Sequence, residues 1–227
     1  MNARDNILGK IRNAQVRTNA QAAATGLHTE TINRHLAQHP RGPQPVPPDN
    51  LLACFKERAL KLSSDVLQAA DYLEVPTLLM HYLSEKKLPA RGVCWPSLAE
   101  LPWSAAGLDI QSRPANDQDL LGVTGAFCAI AETGTLMMLS GTETPATTSL
   151  LPETHVAVLD PCRIVATMED AWDLMRKEYK QPPRAVNFIS GPSRTADIEQ
   201  TVTLGAHGPY RVLVILVPFA EITNDAR

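Results

Sequence analysis

The sequence predicts an α/β fold built on a Rossmann-like open mixed sheet with helices on both faces. The segments AVNFIS (185–190) and VLVILV (212–217) are apolar on both strand faces, which is typical of central strands covered from two sides. Strand-like and helix-like stretches alternate through the second half of the chain, as in open α/β sheets. The pair FCAIA-ETG-TLMMLS (127–140) is typical of a hairpin, and this antiparallel element makes the predicted sheet mixed.

The elements follow in order from local pattern. The pair Asp49 and Asn50 can cap a helix that begins at residue 51, and Pro76 suits the first turn of a helix over 74–86. Further helices are predicted over 168–179 and 195–203. The short apolar segments predict strands over 91–95, 120–123, 127–131, 135–140, 155–159, 185–190 and 212–217.

Composition excludes several classes of protein. The 227 residues are 44% hydrophobic and 20% charged, as expected of a soluble globular protein. A net charge of -3 provides no global positive field for nucleic acid. The chain has no apolar run of 18 residues and no signal-peptide core, so we expect no membrane span. We therefore expect a cytoplasmic protein with reduced thiols.

The first 48 residues differ in character from the rest. They carry six basic and two acidic residues, a net charge of +4, and the apolar residues Ile7, Leu8 and Ile11 fall at helical spacing. Residues 40–48 contain five prolines, which predict an extended linker. We therefore predict an N-terminal helical extension and linker over 1–48, which docks on a partner or forms a homodimer, and an α/β domain over 49–227.

The motif AETGT is the first candidate site. Glu132, Thr133, Gly134 and Thr135 stand between two apolar strands. One interpretation is a simple hairpin turn, which Gly134 permits. The other is a cleft in which Glu132 acts as a general base or nucleophile and its neighbours bind substrate.

The motif SGPSRTADIEQ is the second candidate. A predicted strand ends at Gly191, and the chain then enters a predicted helix, whose free N–H groups would bind an anion. Ser193 and Thr195 can bind a ligand or cap the helix. The candidate binding residues are Gly191, Ser193, Arg194, Thr195 and Asp197.

The third candidate lies before the last predicted strand. His207 stands in GAHGPYR, where Gly208 follows it, and the firmly held strand beyond can aim the ring. A catalytic and a structural role for His207 remain equally open. For His155, which opens another strand, a structural role is expected. The four cysteines form no CxxC pair, so we expect no metal, iron–sulfur cluster or other cofactor on this chain alone.

Three stretches together carry a family resemblance: AIAETGTLMMLS, SLLPETHVAVL and ISGPSRTADIEQTVTLGAHGPYRVLVIL. They resemble the LUD domain of the lactate utilisation protein C family. The N-terminal segment RDNILGKIRNA also resembles the opening helix of that family. The resemblance implies a fold like the NagB/RpiA/CoA-transferase group. It also implies a non-redox accessory role in bacterial oxidation of L-lactate to pyruvate, beside partners that carry the iron–sulfur clusters.

Two alternative functions remain open. The first is an enzyme for a small anionic or acyl substrate, in which Glu132 resembles the carboxylate of CoA-transferases. The second is a folate- or nucleotide-binding protein. Under the first alternative, Glu132, Ser193 and His207 should converge on one cleft beyond the carboxyl ends of the strands.

Overall fold

A computed structural model describes residues 3–23, 26–195 and 203–218. It divides into two units, Met1–Pro45 and Val46–Arg227. The first unit contains helices α1 (Ala3–Ala23) and α2 (Gly26–Gln38). The predicted N-terminal helix is therefore present, and a second helix follows that the sequence analysis does not predict. Ile7 and Ile11 of α1 and Ile32 and Leu36 of α2 are all exposed.

The second unit, called the body here, holds the remaining elements. Its helices are α3 (Leu51–Lys61), α4 (Val75–Glu85), α5 (Thr147–Leu150) and α6 (Met168–Glu178). Its strands are β1 (Asp65–Gln68), β2 (Arg91–Cys94), β3 (Asp109–Ser112), β4 (Leu121–Gly125), β5 (Cys128–Ile130), β6 (Thr135–Leu139), β7 (Thr154–Leu159), β8 (Ile164–Val165), β9 (Val186–Ile189), β10 (Arg194–Thr195), β11 (Thr203–Leu204) and β12 (Arg211–Leu216).

A six-stranded parallel sheet, the main sheet, organises the body in the order β1-β12-β7-β4-β2-β3. Side chains of β12 alternate between its faces. Leu213 and Ile215 pack with α4, whereas Val212 and Val214 pack with α3 and a second sheet. The apolar segment VLVILV is thus a central strand covered on both sides, as predicted. The predicted α/β class is confirmed, and the sheet predicted as one mixed sheet is divided into this parallel main sheet and a second sheet that contains the antiparallel pair.

The predicted hairpin forms part of the second sheet, whose order is β8-β5-β6-β9. One face of this sheet packs against the main sheet through residues such as Leu136 and Met138, and α6 covers the other through Ala171 and Met175. The segment AVNFIS gives β9, which is an edge strand rather than a central one. Its apolar side chains are explained by α6, since Trp172 and Phe188 meet edge to face at 5.6 Å.

The prediction of a helix over 195–203 is wrong at both ends of this range. Arg194–Thr195 and Thr203–Leu204 pair as an antiparallel ribbon, and residues 196–202 lie outside the described part of the chain. Gly191 has a φ of +79°, and the Ser193 carbonyl accepts a hydrogen bond from Gly205 N–H. Residues 193–195 are therefore paired with the segment before β12, and Thr195 and Thr203 are not helical.

Capping explains where two helices begin. The Asn50 side chain accepts a hydrogen bond from Ala53 N–H, so the predicted cap of α3 is confirmed. At α6, Thr167 and Asp170 form a capping box that satisfies two backbone donors reciprocally. No helix among the described residues is long and apolar enough to cross a membrane.

Candidate functional site

The Glu132 carboxylate is bonded to the start of α6. Its Oε1 accepts a hydrogen bond from Met168 N–H at 3.0 Å, and its own backbone N–H donates to the Ala166 carbonyl at 3.1 Å. A carboxylate at a helix N-terminus is favoured by the free donors and by the helix dipole. Glu132 is half-buried and engaged with a helix end, so it matches neither the exposed turn residue nor a carboxylate free in a cleft.

The rest of the AETGT motif faces α3. Gly134 has a φ of +65°, and a Cβ there would stand 2.6 Å from the backbone nitrogen of Ala59, so the turn requires glycine at this position. Thr135 is buried, and its hydroxyl bonds the Ser190 hydroxyl at 2.7 Å. Thr133 is exposed.

The SGPSRT motif lies against the carboxyl end of α3. A Cβ on Gly191 would overlap the Leu62 carbonyl oxygen, and the Arg194 guanidinium donates to the Leu62 carbonyl and the Ser63 hydroxyl. Thr195 is half-buried on the ribbon of β10 and β11. Asp197 lies outside the described residues. The predicted motifs therefore share α3 as a neighbour.

Ser193 and His207 come together at the amino edge of the main sheet. The Ser193 hydroxyl accepts a hydrogen bond from His207 N–H at 3.3 Å, and a Cβ on Gly208 would stand 3.4 Å from Ser193 Cβ. The contact uses the His207 backbone. This group precedes β12, whereas a ligand crevice of an open sheet lies beyond the carboxyl ends of its strands.

A cavity of about 520 Å³, called the crevice here, lies at the carboxyl ends of the strands of the main sheet. The loop after β2 packs Leu98 into the cluster on the α4 side, whereas the chain after β4 enters the second sheet on the opposite side. The two connections diverge and leave a gap, which is where open α/β sheets bind ligands. The lining residues lie in or after the carboxyl-terminal parts of β1, β2, β4 and β7 and are Tyr72, Ser97, Leu98, Leu101, Gly125, Ala126, Val158, Asp160 and Arg163.

Two charged side chains line the crevice. Arg163 Nη1 and Nη2 donate to the two Glu178 carboxylate oxygens at 2.6 and 3.0 Å, and Nε donates to the Phe127 carbonyl at 2.8 Å. The bond with Glu178 raises the pKa of Arg163. Asp160 Oδ1 accepts from Cys162 N–H at 2.8 Å. Burial, followed by the charge of Asp160, raises the pKa of Tyr72.

A second cavity, of about 220 Å³, lies at the other end of the main sheet beside β3. Arg113 is bonded there to both carboxylate oxygens of Asp119, at 2.7 and 2.8 Å, and Arg91 and Asp109 line the same cavity. Its two positive and two negative side chains balance. This arrangement stabilises the loop after β3 and selects no ligand charge.

Sequence reasoning did not find the crevice. Its residues come from four separate segments and form no motif. The signal that the sequence does carry is topological: a residue that directly follows a predicted strand, such as Asp160 after 155–159, lies at the carboxyl ends of the strands. Within 3–23, 26–195 and 203–218, no three His, Cys, Asp or Glu side chains are grouped to hold a metal ion.

Residues 108–217 match the family model described as the LUD domain. The chain carries a LUD domain. The resemblance drawn from the motifs is thereby confirmed. The matched region begins beside β3 and ends just after β12, so it includes the β4 and β7 sides of the crevice, whereas β1, β2, α3 and α4 precede it.

Curated relatives of the LUD domain chain carry lactate-related names. The chain is 33% identical over 127 residues to "Lactate utilization protein C" of Bacillus subtilis, which covers 54% of this chain and 53% of that protein. It is 37% identical over 97 residues to the protein of the same name in Anoxybacillus flavithermus, covering 43% of each. An uncharacterized protein of Neisseria meningitidis is 45% identical over 105 residues, covering 46% of this chain and 45% of that protein. The matches span about half the length of these relatives.

A solved structure supports the fold. A DUF162 family protein from Deinococcus radiodurans superimposes with a TM-score of 0.58 at 23% identity, covering 76% of this chain and 99% of that one. At this identity the likeness concerns the fold alone.

Proposed function

We propose that this LUD domain protein acts in a bacterial lactate utilisation system and is needed for the oxidation of L-lactate to pyruvate. The observation that carries the proposal is the match to proteins named lactate utilization protein C over the LUD domain. The matched segment includes the strands whose carboxyl ends line the crevice, so a binding function for the crevice is consistent with it.

Within that system we assign the protein a non-redox accessory role beside iron–sulfur protein components. The surroundings of the four cysteines support this role. Cys94 and Cys128 are buried in different apolar clusters, the Cys54 thiol donates to the Ala131 carbonyl at 3.4 Å, and Cys162 is exposed. Four thiols in four surroundings provide no common set of ligands for a cluster. All four are free, as expected of the cytoplasm, where we locate the protein.

The enzyme alternative receives no support from the described contacts. Its proposed carboxylate, Glu132, is bonded to the N-terminus of α6, and Ser193 meets only the backbone of His207. The group around Ser193, His207 and Arg194 remains a second candidate for ligand binding, at the amino edge of the sheet.

Growth complementation tests the proposal. A strain that lacks this gene should fail to grow on L-lactate, and the wild-type gene should restore growth. Ser97→Trp should impair it, because Ser97 is exposed at the crevice and an indole there fills the cavity. Ser104→Trp is the matched control, since Ser104 is exposed in the same loop but does not line the crevice. Both purified variants should melt like the wild type.

One result would contradict the pathway role, and another would contradict the role of the crevice. Normal growth of the deletion strain on lactate would remove the protein from the pathway. If the pathway role holds but both tryptophan variants grow alike, the crevice is not the site through which the protein acts.

A further inference from the structure

The described lining of the crevice offers a ligand no free positive charge. Among the described residues that line it, Arg163 is the only basic one, and its guanidinium is bonded to Glu178 and to the Phe127 carbonyl. The guanidinium also stacks on the Phe127 ring at 4.7 Å. A small carboxylate such as lactate or pyruvate would have to compete with Glu178 for the same donors.

Asp160 gives the crevice a negative charge and an acceptor. Its Oδ1 accepts a hydrogen bond from Cys162 N–H, whereas Oδ2 has no hydrogen-bond partner in the part of the chain that the structure describes. Asp160, Arg163 and Glu178 together carry a charge of -1, which disfavours a second carboxylate nearby. A hydroxyl donor on a ligand is the natural partner for the remaining oxygen.

Most of the other lining residues are either apolar or too small to block the entry of a ligand. Leu98 and Leu101 come from the loop after β2, Val158 comes from β7, and Gly125 and Ala126 present little more than backbone. A volume of about 520 Å³ falls in the usual range for small-molecule sites. Apolar walls with one strand-end carboxylate suit a ring system with hydroxyl groups, as in the recognition of ribose by strand-end acids.

We propose that the crevice binds an uncharged ligand of nucleoside size, whose apolar ring packs on Leu98, Leu101 and Val158 and whose hydroxyl groups donate to Asp160. Lactate and pyruvate do not bind there. The inference goes beyond the proposed function, because it makes the protein respond to a molecule other than the substrate of the system.

The probe is adenosine, added to the full-length, isotope-labelled protein while amide chemical shifts are followed. Adenosine should give saturable shifts at Gly125, Ala126 and Asp160. 2′,3′-Dideoxyadenosine, which lacks the two hydroxyl groups, should bind at least fivefold more weakly. Asp160→Asn should weaken adenosine at least fivefold and reduce the difference between the two probes. Asp117→Asn removes the same charge at an exposed position away from the crevice and should change affinity less than twofold.

Three outcomes would overturn the inference. The first is the absence of saturable shifts with adenosine at 10 mM, on the order of the weakest specific binding. The second is binding of lactate or pyruvate at the crevice as tight as that of adenosine. The third is equal binding of the two probes by the wild-type protein. Because the readout is binding to purified protein, its failure is distinguishable from a failure of growth on lactate.

Discussion

His155 is a fully buried titratable group of the body. Its Nε2 and the Thr124 hydroxyl are 2.8 Å apart, whereas Nδ1 has no partner, and burial lowers the pKa of the ring to about 4. The Thr148 hydroxyl is likewise buried without a partner. His155 is paired in register with Gly122, against which Thr148 packs, so both unsatisfied atoms lie in one region between α5 and the main sheet.

This burial predicts a loss of stability in mild acid. The folded protein holds His155 neutral down to about pH 4, whereas the unfolded chain takes up the proton near pH 6.5. Stability contributed by the neutral ring is present above pH 6.5 and falls as the pH is lowered toward 4, by about 3 kcal/mol in total. Urea unfolding of wild type and His155→Gln between pH 7.5 and 4.5 measures the difference. His81→Gln, at an exposed histidine, is the control and should keep the wild-type slope. Parallel slopes for wild type and His155→Gln would contradict this assignment.

Gly122 provides a second residue-scale prediction. A Cβ there would overlap the Thr148 carbonyl oxygen, which belongs to backbone and has little freedom to move. Gly122→Ala should therefore lower the unfolding free energy by about 2–4 kcal/mol, because α5 must shift off the sheet. Thermal melting measures the loss. Gly42→Ala, where nothing lies within 4 Å, should melt like the wild type.

Among the elements, α6 depends on a contact from outside its own sequence. Besides its capping box, it has the Glu132 carboxylate on its first N–H group. Glu132→Ala should lower the unfolding free energy by about 1–2 kcal/mol, and Glu132→Gln by less than about 1 kcal/mol, since the amide still accepts the bond without the charge. Glu143, which is exposed, provides the matched control substitutions.

The same variants decide what Glu132 does. Growth on lactate that survives Glu132→Gln would make it a residue of the α6 terminus. Lost growth with an unchanged melting temperature would instead support the catalytic role predicted from the motif.

Element prediction from sequence succeeded where local pattern carries the information. The strand β12 is apolar on both faces and lies inside the main sheet, as predicted, whereas β9 has the same pattern but lies at an edge. The apolar side chains of β9 pack against α6 on the face of the second sheet, which does not require a second strand neighbour. The edge strands β1 (DVLQ) and β3 (DIQS) are not predicted, because two of the four positions of β1 and three of the four positions of β3 are polar. Which sheet the hairpin joins is decided by packing, and a local pattern does not encode it.

At the scale of the whole molecule, charge divides with the units. Residues 1–45 carry six basic and two acidic residues, a net charge of +4. Because the net charge of the whole chain is -3, the body carries a net charge of -7. Removing residues 1–45 should leave a body that melts cooperatively, since both sheets and their apolar clusters lie within it. Circular dichroism measures the melt, and light scattering should show any self-association of the full chain weakened. A truncated protein that no longer melts cooperatively would make the first unit part of the fold.

The pairing of β1 with β12 has a consequence for the order in which the body is made. Asp65 of β1 is paired in register with Leu213 of β12. Because β12 is the only strand beside β1 among the described residues, β1 has no neighbour in the main sheet until β12 has been synthesised. Until then both β1 and β7 present open edges that can recruit foreign strands. A nascent chain stalled before residue 211 therefore lacks the strand that joins β1 to the rest of the main sheet. The main sheet is therefore complete only once β12 has been synthesised, and chaperones that cover exposed strand edges can act on the chain before that point.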